Sequence, residues 1–249
     1  MISGVRATSK RDQLVGNRLA LIGAIVYLLE FVGIVAAGTV VPSGARYRGA
    51  TPDAIVSTYT GHFGGVALLA SWLGLVLLGR IAFAAGLRFA LRRSGAEYAV
   101  ADLALGAMVT SVSVEISGYA VAAGAAQVAA AGGNSATVVG LDAAANWLVL
   151  MLFAPQGVFI FCSGLAMLWS GLFSRWMTWL GLVAGAGQVL YGLVAGQAYA
   201  AGGTFLNFLP LLGFSGLAFW IWMLATGILL FRRAGGSSHP ELSDAVLSD

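Results

Sequence analysis

The sequence predicts an all-α polytopic membrane protein with six transmembrane helices, and three observations support this class. Hydrophobic residues make up 59% of the 249 residues, and charged residues only 9%. A soluble domain carries about 25% charged residues, so this composition is typical of a membrane protein. Six apolar stretches are long enough to cross a bilayer core, which needs about 20 residues per helix. The basic residues between these stretches are abundant on alternate connections, as the positive-inside rule describes.

The six stretches divide the chain into three regions. We predict a basic N-terminal flank at 1–18, a transmembrane domain at 19–233 and a disordered tail at 234–249, because the tail is rich in Ser, Gly and acidic residues. The predicted spans are 19–40, 64–91, 99–123, 147–173, 176–199 and 209–231.

The basic residues predict the orientation of the bundle. Ten of the thirteen lie on one side of the arrangement: Arg6, Lys10, Arg11, Arg18, Arg88, Arg92, Arg93, Arg175, Arg232 and Arg233. Only Arg46 and Arg48 lie on the other side, and Arg80 falls inside a span. Because short connections rich in Lys and Arg stay in the cytoplasm, both termini are predicted to be cytoplasmic.

The first stretch has an alternative interpretation as a cleaved signal peptide, with small residues at 36–38. Its apolar run is longer than a usual signal-peptide core, and Glu30 interrupts it, which favours a retained span.

The external connections contain helix and turn signals. Thr51-Pro52-Asp53 offers a capping hydroxyl, a proline for the first turn and an acid near the positive helix end. We therefore predict a short external helix at the membrane surface over 51–59. Gly and Asn residues at 132–134 and Gly residues at 202–203 predict turns.

Several polar side chains are predicted to lie at similar depths inside the bundle. At about 1.5 Å per residue, Glu30 and Arg80 each lie roughly 18 Å from the cytoplasmic boundary, and Glu115 lies about 7 Å higher. A mid-membrane Arg costs about 2.5–3.5 kcal/mol, so an acid should accompany it. Glu30 is the first expected partner and Glu115 the second. The remaining residues of this hypothetical ligand- or proton-binding site are Gln156, Gln188, Tyr27 and Tyr191.

Two further features concern helix packing. Pro155 removes a backbone hydrogen bond and clashes with the Met151 carbonyl, so we expect a kink in the fourth span. Small residues recur along one face of the fifth span, where they allow close approach of a neighbouring helix, of a partner chain or of a second copy. They are Gly181, Gly185, Gly192 and Gly196.

Motifs for metal, cofactor or catalytic sites are absent from the sequence. Cys162 is the only cysteine, and His62 and His239 lie outside the predicted spans, so we expect neither metal nor haem. Gly213-Phe-Ser-Gly216 is similar to the serine motif of intramembrane proteases, but those need a later membrane histidine. The net charge of +3 comes from the flanks and calls for no nucleic-acid partner.

Three segments together resemble a group of uncharacterised six-span bacterial integral membrane proteins from GC-rich bacteria. They are Thr51-Pro-Asp-Ala-Ile-Val-Ser-Thr-Tyr-Thr-Gly-His62, the Leu-Arg-Phe-Ala-Leu-Arg-Arg that ends at Arg93, and Arg175-Trp-Met-Thr-Trp-Leu-Gly-Leu-Val-Ala-Gly185. This chain differs at Ser174, where such proteins often have Pro, and at Arg80, where they tend to be apolar. The resemblance implies the six-span topology and a bacterial inner-membrane location, and it implies no activity.

The leading functional hypothesis is a non-enzymatic multi-pass protein whose polar site binds or transports a small solute or lipid, with proton-linked movement. In this hypothesis Glu30 titrates and Arg80 is its counter-charge. The alternative is a structural or accessory subunit, in which Glu30 and Arg80 only fix the helix packing.

Overall fold

A computed structural model describes residues 10–40, 51–93, 98–200 and 209–236, and the regular structure within these ranges is entirely α-helical. The predicted all-α class is confirmed. Several predictions fall outside the described residues: those on Arg6, Arg46, Arg48, His239, the 202–203 turn and the tail from 237. The helices are α1 (Lys10–Val40), α2 (Pro52–Val76), α3 (Leu78–Arg93), α4 (Tyr98–Ala130), α5 (Ser135–Met151), α6 (Phe153–Ser170), α7 (Arg175–Ala200) and α8 (Leu209–Gly236).

Six stretches of these helices are long and apolar enough to cross a membrane, which confirms the predicted number. α2 and α3 together form the second span, and α5 and α6 together form the fourth. α4 continues to Ala130 and α5 begins at Ser135, so both helices extend beyond the predicted spans 99–123 and 147–173.

The predicted capping signals are present at two helix starts. The Thr51 hydroxyl accepts a hydrogen bond from the Ala54 amide at 3.4 Å, and Pro52 occupies the first turn of α2. A kink at His62, whose φ is −131°, separates the first ten residues of α2 from the rest of the helix. At the 132–134 turn, Gly132 has a φ of 69°, and the Asn134 side chain accepts from the Ala136 amide at 2.8 Å. That turn is confirmed.

Two spans are interrupted by one residue each. α2 gives way to α3 at Leu77, and α5 gives way to α6 at Leu152. The second interruption lies three residues before Pro155, in the region where a kink was expected. Both interruptions keep helical φ and ψ, so each span remains a continuous path across the bundle.

The six spans form a closed ring, in which each span packs on the next. α1 packs on α3 and α8, α4 joins the second span to the fourth, and α7 lies between α6 and α8. Close approach depends on glycine: a Cβ on Gly79 would lie 2.8 Å from the Tyr27 amide of α1. The main hydrophobic core is formed by α1, α3, α4, α6 and α8, with two buried residues each from α2 and α7.

The glycine face of α7 is used within the chain. Gly185 packs against the backbone of Gly157 and Phe161 on α6, and Gly192 approaches Phe153. Gly181 lies against the Trp222 indole of α8. The close helix packing that this face predicts is therefore intramolecular at these three positions.

Candidate functional site

Arg80 is the centre of a buried polar cluster. It is the third residue of α3, directly after the Leu77 interruption, and only 1% of its surface is exposed. Its Nη2 forms an ion pair with Glu115 Oε2 of α4, and its Nη1 donates to Gln156 Oε1 of α6 at 2.5 Å. The guanidinium group therefore joins three successive spans through charge-assisted contacts, which are about twice as strong as neutral hydrogen bonds.

Tyr27 interacts with both Arg80 and Glu30. The Arg80 Cζ atom is 5.0 Å from the centroid of the Tyr27 ring, within the range of a cation–π contact. The Tyr27 hydroxyl interacts with the Glu30 carboxylate and accepts a hydrogen bond from Trp220 Nε1 at 3.0 Å. Glu30 thus interacts with Arg80 indirectly, through Tyr27, and by longer-range electrostatic attraction.

The direct ion-pair partner of Arg80 is Glu115, so the preference for Glu30 was wrong on this point. Counting along the helices placed Glu30 and Arg80 at the same depth. Depth, however, carries no information about which face of a helix a side chain occupies, and the Tyr27 ring lies against the Arg80 guanidinium, 5.0 Å from its Cζ atom. A long guanidinium group spans the extra distance to Glu115 instead.

The cluster contains one more acid than base. Arg80 carries one positive charge, and Glu115 and Glu30 are the carboxyl groups that interact with it. Glu30 is 6% exposed, and its Oε2 atom has no hydrogen-bond partner among the described residues. One arginine can compensate only one of the two carboxylates, so an electroneutral cluster requires a proton on the other.

Gln188 and Tyr191 are also buried, but their described contacts lead away from Arg80. Both lie on α7. The Gln188 amide nitrogen is 3.8 Å from the position of a Cβ on Gly216 of α8, and the Tyr191 ring packs on Phe153 at 4.7 Å. Of the seven residues predicted for the site, Tyr27, Glu30, Arg80, Glu115 and Gln156 are brought together directly.

A second buried polar group was missed by the sequence interpretation. Tyr59 of α2 donates to Asp142 Oδ1 of α5 at 2.7 Å, and Asn146 donates to Asp142 Oδ2 at 3.0 Å. Asp142 is 4% exposed. The spacing of four residues between Asp142 and Asn146 was the available signal, but the predicted fourth span began at Trp147 and left both residues in a connection.

Four aromatic side chains, Phe83, Phe159, Phe219 and Trp222, pack together next to the Arg80 cluster, and Phe219 meets the Tyr27 ring at 5.8 Å. Phe83 lies one turn beyond Arg80, and its ring meets Phe159 at 6.2 Å and Trp222 at 5.8 Å. Phe219 completes the group at 6.4 Å from Trp222. All four side chains are buried, so they form a packed aromatic group.

One ion pair lies at the edge of the bundle. Arg88 Nε contacts Asp102 Oδ1 at 2.6 Å, and their side chains are 30% and 46% exposed. Exposed pairs of this kind contribute little to stability. Asp102 is therefore a useful reference acid, because it is ionised and hydrogen-bonded without belonging to the Arg80 cluster.

The arrangement defines the class of the protein as a multi-pass helical membrane protein with a buried, charged centre. No group of three or more His, Cys, Asp or Glu side chains suited to a metal ion occurs in the part of the chain that the structure describes. Comparisons with known proteins found no matching family model, no matching curated protein and no matching solved structure. The function has to be inferred from the chemistry of the site.

Proposed function

We propose that this protein is a non-enzymatic, proton-linked carrier of a small solute, with Glu30 as the group that gains and loses the proton. The observation that carries the proposal is the excess carboxyl group: Glu115 already takes the direct contact with Arg80, and Glu30 retains an oxygen without a partner. Ionisable groups at this depth usually mark ion or proton pathways.

The position of the cluster supports a transport role. Arg80 and Gln156 lie on the second and fourth spans, and both side chains are buried inside the bundle. In many transporters the substrate and ion sites lie near mid-membrane, between packed helices. Movement of either span would change the contact between Arg80 and Gln156, and with it the field that acts on Glu30.

The proposal includes the orientation of the protein in the membrane. The excess of basic residues on one side supports an inner-membrane protein of a bacterium with both termini in the cytoplasm. The segment 51–59 then lies at the outer surface, and the aromatic group of Phe83, Phe159, Phe219 and Trp222 lies on the cytoplasmic side of Arg80.

Proton movement is measured with a panel of small solutes, because a coupled carrier moves protons only when its solute also moves. The purified protein is reconstituted into vesicles with an internal pH dye, and a gradient of each solute in turn is imposed across the vesicle membrane. We expect a solute-dependent change of internal pH in wild-type vesicles, and Glu30→Gln should reduce its rate at least about tenfold, since the amide cannot carry a proton. Asp102→Asn, a matched change of acid to amide, should retain the wild-type rate. Equal rates for wild type and Glu30→Gln would refute the proposal.

A second candidate is a structural or accessory subunit, and the contacts of Arg80 with both α4 and α6 favour it. This candidate predicts no proton flux in the wild type and co-purification with a larger membrane complex. It also predicts that Glu30→Gln lowers thermal stability, and that neutralising Arg80 as well restores it.

A further inference from the structure

The helical hydrogen-bond ladder of the fourth span is interrupted at Leu152, between α5 and α6. Pro155 has no amide hydrogen, so the helical bond to the Met151 carbonyl cannot form. The Leu152 amide points to the Leu150 carbonyl, two residues back, whereas a regular helix bonds four residues back. The regular pattern resumes at Gln156, whose amide donates to the Leu152 carbonyl at 3.1 Å. The backbone is therefore less firmly bonded here than in a continuous helix.

The two parts of this span have different main neighbours, α4 for α5 and α7 for α6. A Cβ on Gly118 of α4 would lie 3.3 Å from the Leu148 Cβ of α5. Between α6 and α7 the backbones themselves touch, since a Cβ on Gly157 would lie 2.7 Å from the Gly185 carbonyl oxygen. Glycine allows this close approach in membrane helices, and it makes α6 and α7 one closely packed pair.

Ser111 of α4 bonds directly to the interruption. Its hydroxyl donates to the Leu152 carbonyl at 3.1 Å, and its side chain is fully buried. The Leu152 carbonyl thus has two donors, the Ser111 hydroxyl and the Gln156 amide. Serine hydroxyls in helices often bond to the carbonyl four residues back, as Ser117 does to Ser113 at 2.8 Å. Ser111 instead joins two spans.

Ser111 and the Arg80 cluster connect the same two helices, one turn apart. Glu115 follows Ser111 by four residues, and Gln156 follows Leu152 by four residues, so each pair shares a helix face. Arg80 pairs with Glu115 and donates to Gln156, and this closes a ring of contacts in which Ser111 is the opposite link. The position of Gln156 beside Arg80 therefore depends on where Ser111 holds the Leu152 carbonyl.

We propose that Leu152 is a hinge about which α6 and α7 move as a pair, and that Ser111 is the positioning residue that holds this hinge with Gln156 on Arg80. Release of the Ser111 bond frees the Leu152 carbonyl and lets α6 tilt away from α4. The Phe159 ring of α6 meets the Phe83 ring of α3 at 6.2 Å, so the same tilt parts these rings next to the Arg80 cluster. The inference deepens the proposed function by naming the part of the carrier that moves, and its contacts do not involve Glu30.

Hydrogen exchange of the full-length protein in detergent, measured by mass spectrometry, tests the hinge. Ser111→Ala should speed the exchange of the backbone amides in 151–157 about threefold. This corresponds to about 0.6 kcal/mol, the average contribution of a hydrogen bond between membrane helices. The amides of α1 should keep their wild-type rates, because only the hinge is loosened. Equal acceleration in all helices would show a general loss of stability and would overturn the positioning role.

Ser117→Ala is the matched control for this variant. Ser117 is an exposed serine of the same helix, and its hydroxyl bonds within that helix. Its loss should leave the exchange of 151–157 at the wild-type rate. An acceleration there equal to that of Ser111→Ala would contradict the assignment of Ser111 to the hinge.

Pro155→Ala tests the hinge in the opposite direction. The alanine supplies the missing amide hydrogen for the Met151 carbonyl, so exchange of the neighbouring amides should slow at least about threefold. In the vesicle assay, the stiffened variant should change the internal pH at least about fivefold more slowly than the wild type, because movement of the carrier limits its rate. Pro52→Ala, the same substitution in the first turn of α2, should alter neither measurement.

The outcomes separate this inference from the proposed function. If exchange in 151–157 is unchanged in Ser111→Ala or in Pro155→Ala, the hinge is refuted, whatever the vesicle assay shows for Glu30. If exchange changes as expected but no solute changes the internal pH of wild-type vesicles, the hinge stands and the carrier role fails. If Pro155→Ala slows exchange yet matches the wild type in vesicles, movement at Leu152 is not part of transport and the inference is overturned.

Discussion

Replacing Glu115 by Gln should destabilise the protein far more than replacing Glu30 by Gln. The Arg80 and Glu115 side chains are 1% and 6% exposed, so the ion pair is shielded from water. Removal of one partner from a buried pair costs about 3–5 kcal/mol, because the other charge is left uncompensated. Glu30 forms no ion pair among the described residues. We expect Glu30→Gln to cost within about 1 kcal/mol, the scale of one neutral hydrogen bond.

The double variant is the sharper test. In Glu115→Gln, Glu30 can give up its proton and neutralise Arg80 at longer range, so the loss should lie near the lower limit, about 3 kcal/mol. In Glu30→Gln/Glu115→Gln, both carboxylates that interact with Arg80 are removed. The double variant should therefore lose more than the sum of the single variants, with a coupling energy of about 0.5–3 kcal/mol.

Thermal unfolding in detergent measures these differences. A loss of 3 kcal/mol corresponds to a Tm lower by about 6–12 °C, at about 2–4 °C per kcal/mol for a chain of this size. Asp102→Asn is the control and should shift Tm little, because the Arg88–Asp102 pair is exposed. The reasoning is refuted if Glu30→Gln is as destabilising as Glu115→Gln, or if the two losses are additive.

Three further changes test other parts of the fold, each by its effect on Tm. Tyr59→Phe should cost about 1–3 kcal/mol, because it removes the hydroxyl that satisfies Asp142 Oδ1, and an unchanged Tm would show that this contact is not made. Gly157→Ala should cost about 1–3 kcal/mol, because the new methyl group would lie 2.7 Å from a carbonyl oxygen of α7. Gly74→Ala is its control: a methyl group there meets nothing within 4 Å, so no loss is expected. Asn134→Ala should cost about 1 kcal/mol through loss of the α5 cap, and a neutral result would contradict the capping role.

Much of the architecture could be predicted from local sequence because its causes are local. The length and apolar character of each stretch are set by the bilayer, and the six-span count is confirmed for that reason. The start of α2 at Thr51-Pro52 and the turn at 132–134 depend on neighbouring residues alone. The presence of Arg80 inside a span also indicated a buried partner, because an isolated charge in lipid is costly.

Which acid pairs with Arg80 depends on how each helix is rotated about its axis and on which helices are neighbours. Residues adjacent in sequence determine neither. Glu115 contacts Arg80 because α4 packs between the second and fourth spans, with the face that carries Glu115 directed toward Arg80. Asp142 is buried because Tyr59 of α2 reaches α5, a contact across 83 residues of sequence. Gln188 lies at a suitable depth, yet its described contact is with α8. Apolar length and basic flanks are properties of each segment taken alone, whereas the meeting of side chains from different helices is decided only when all six spans pack together.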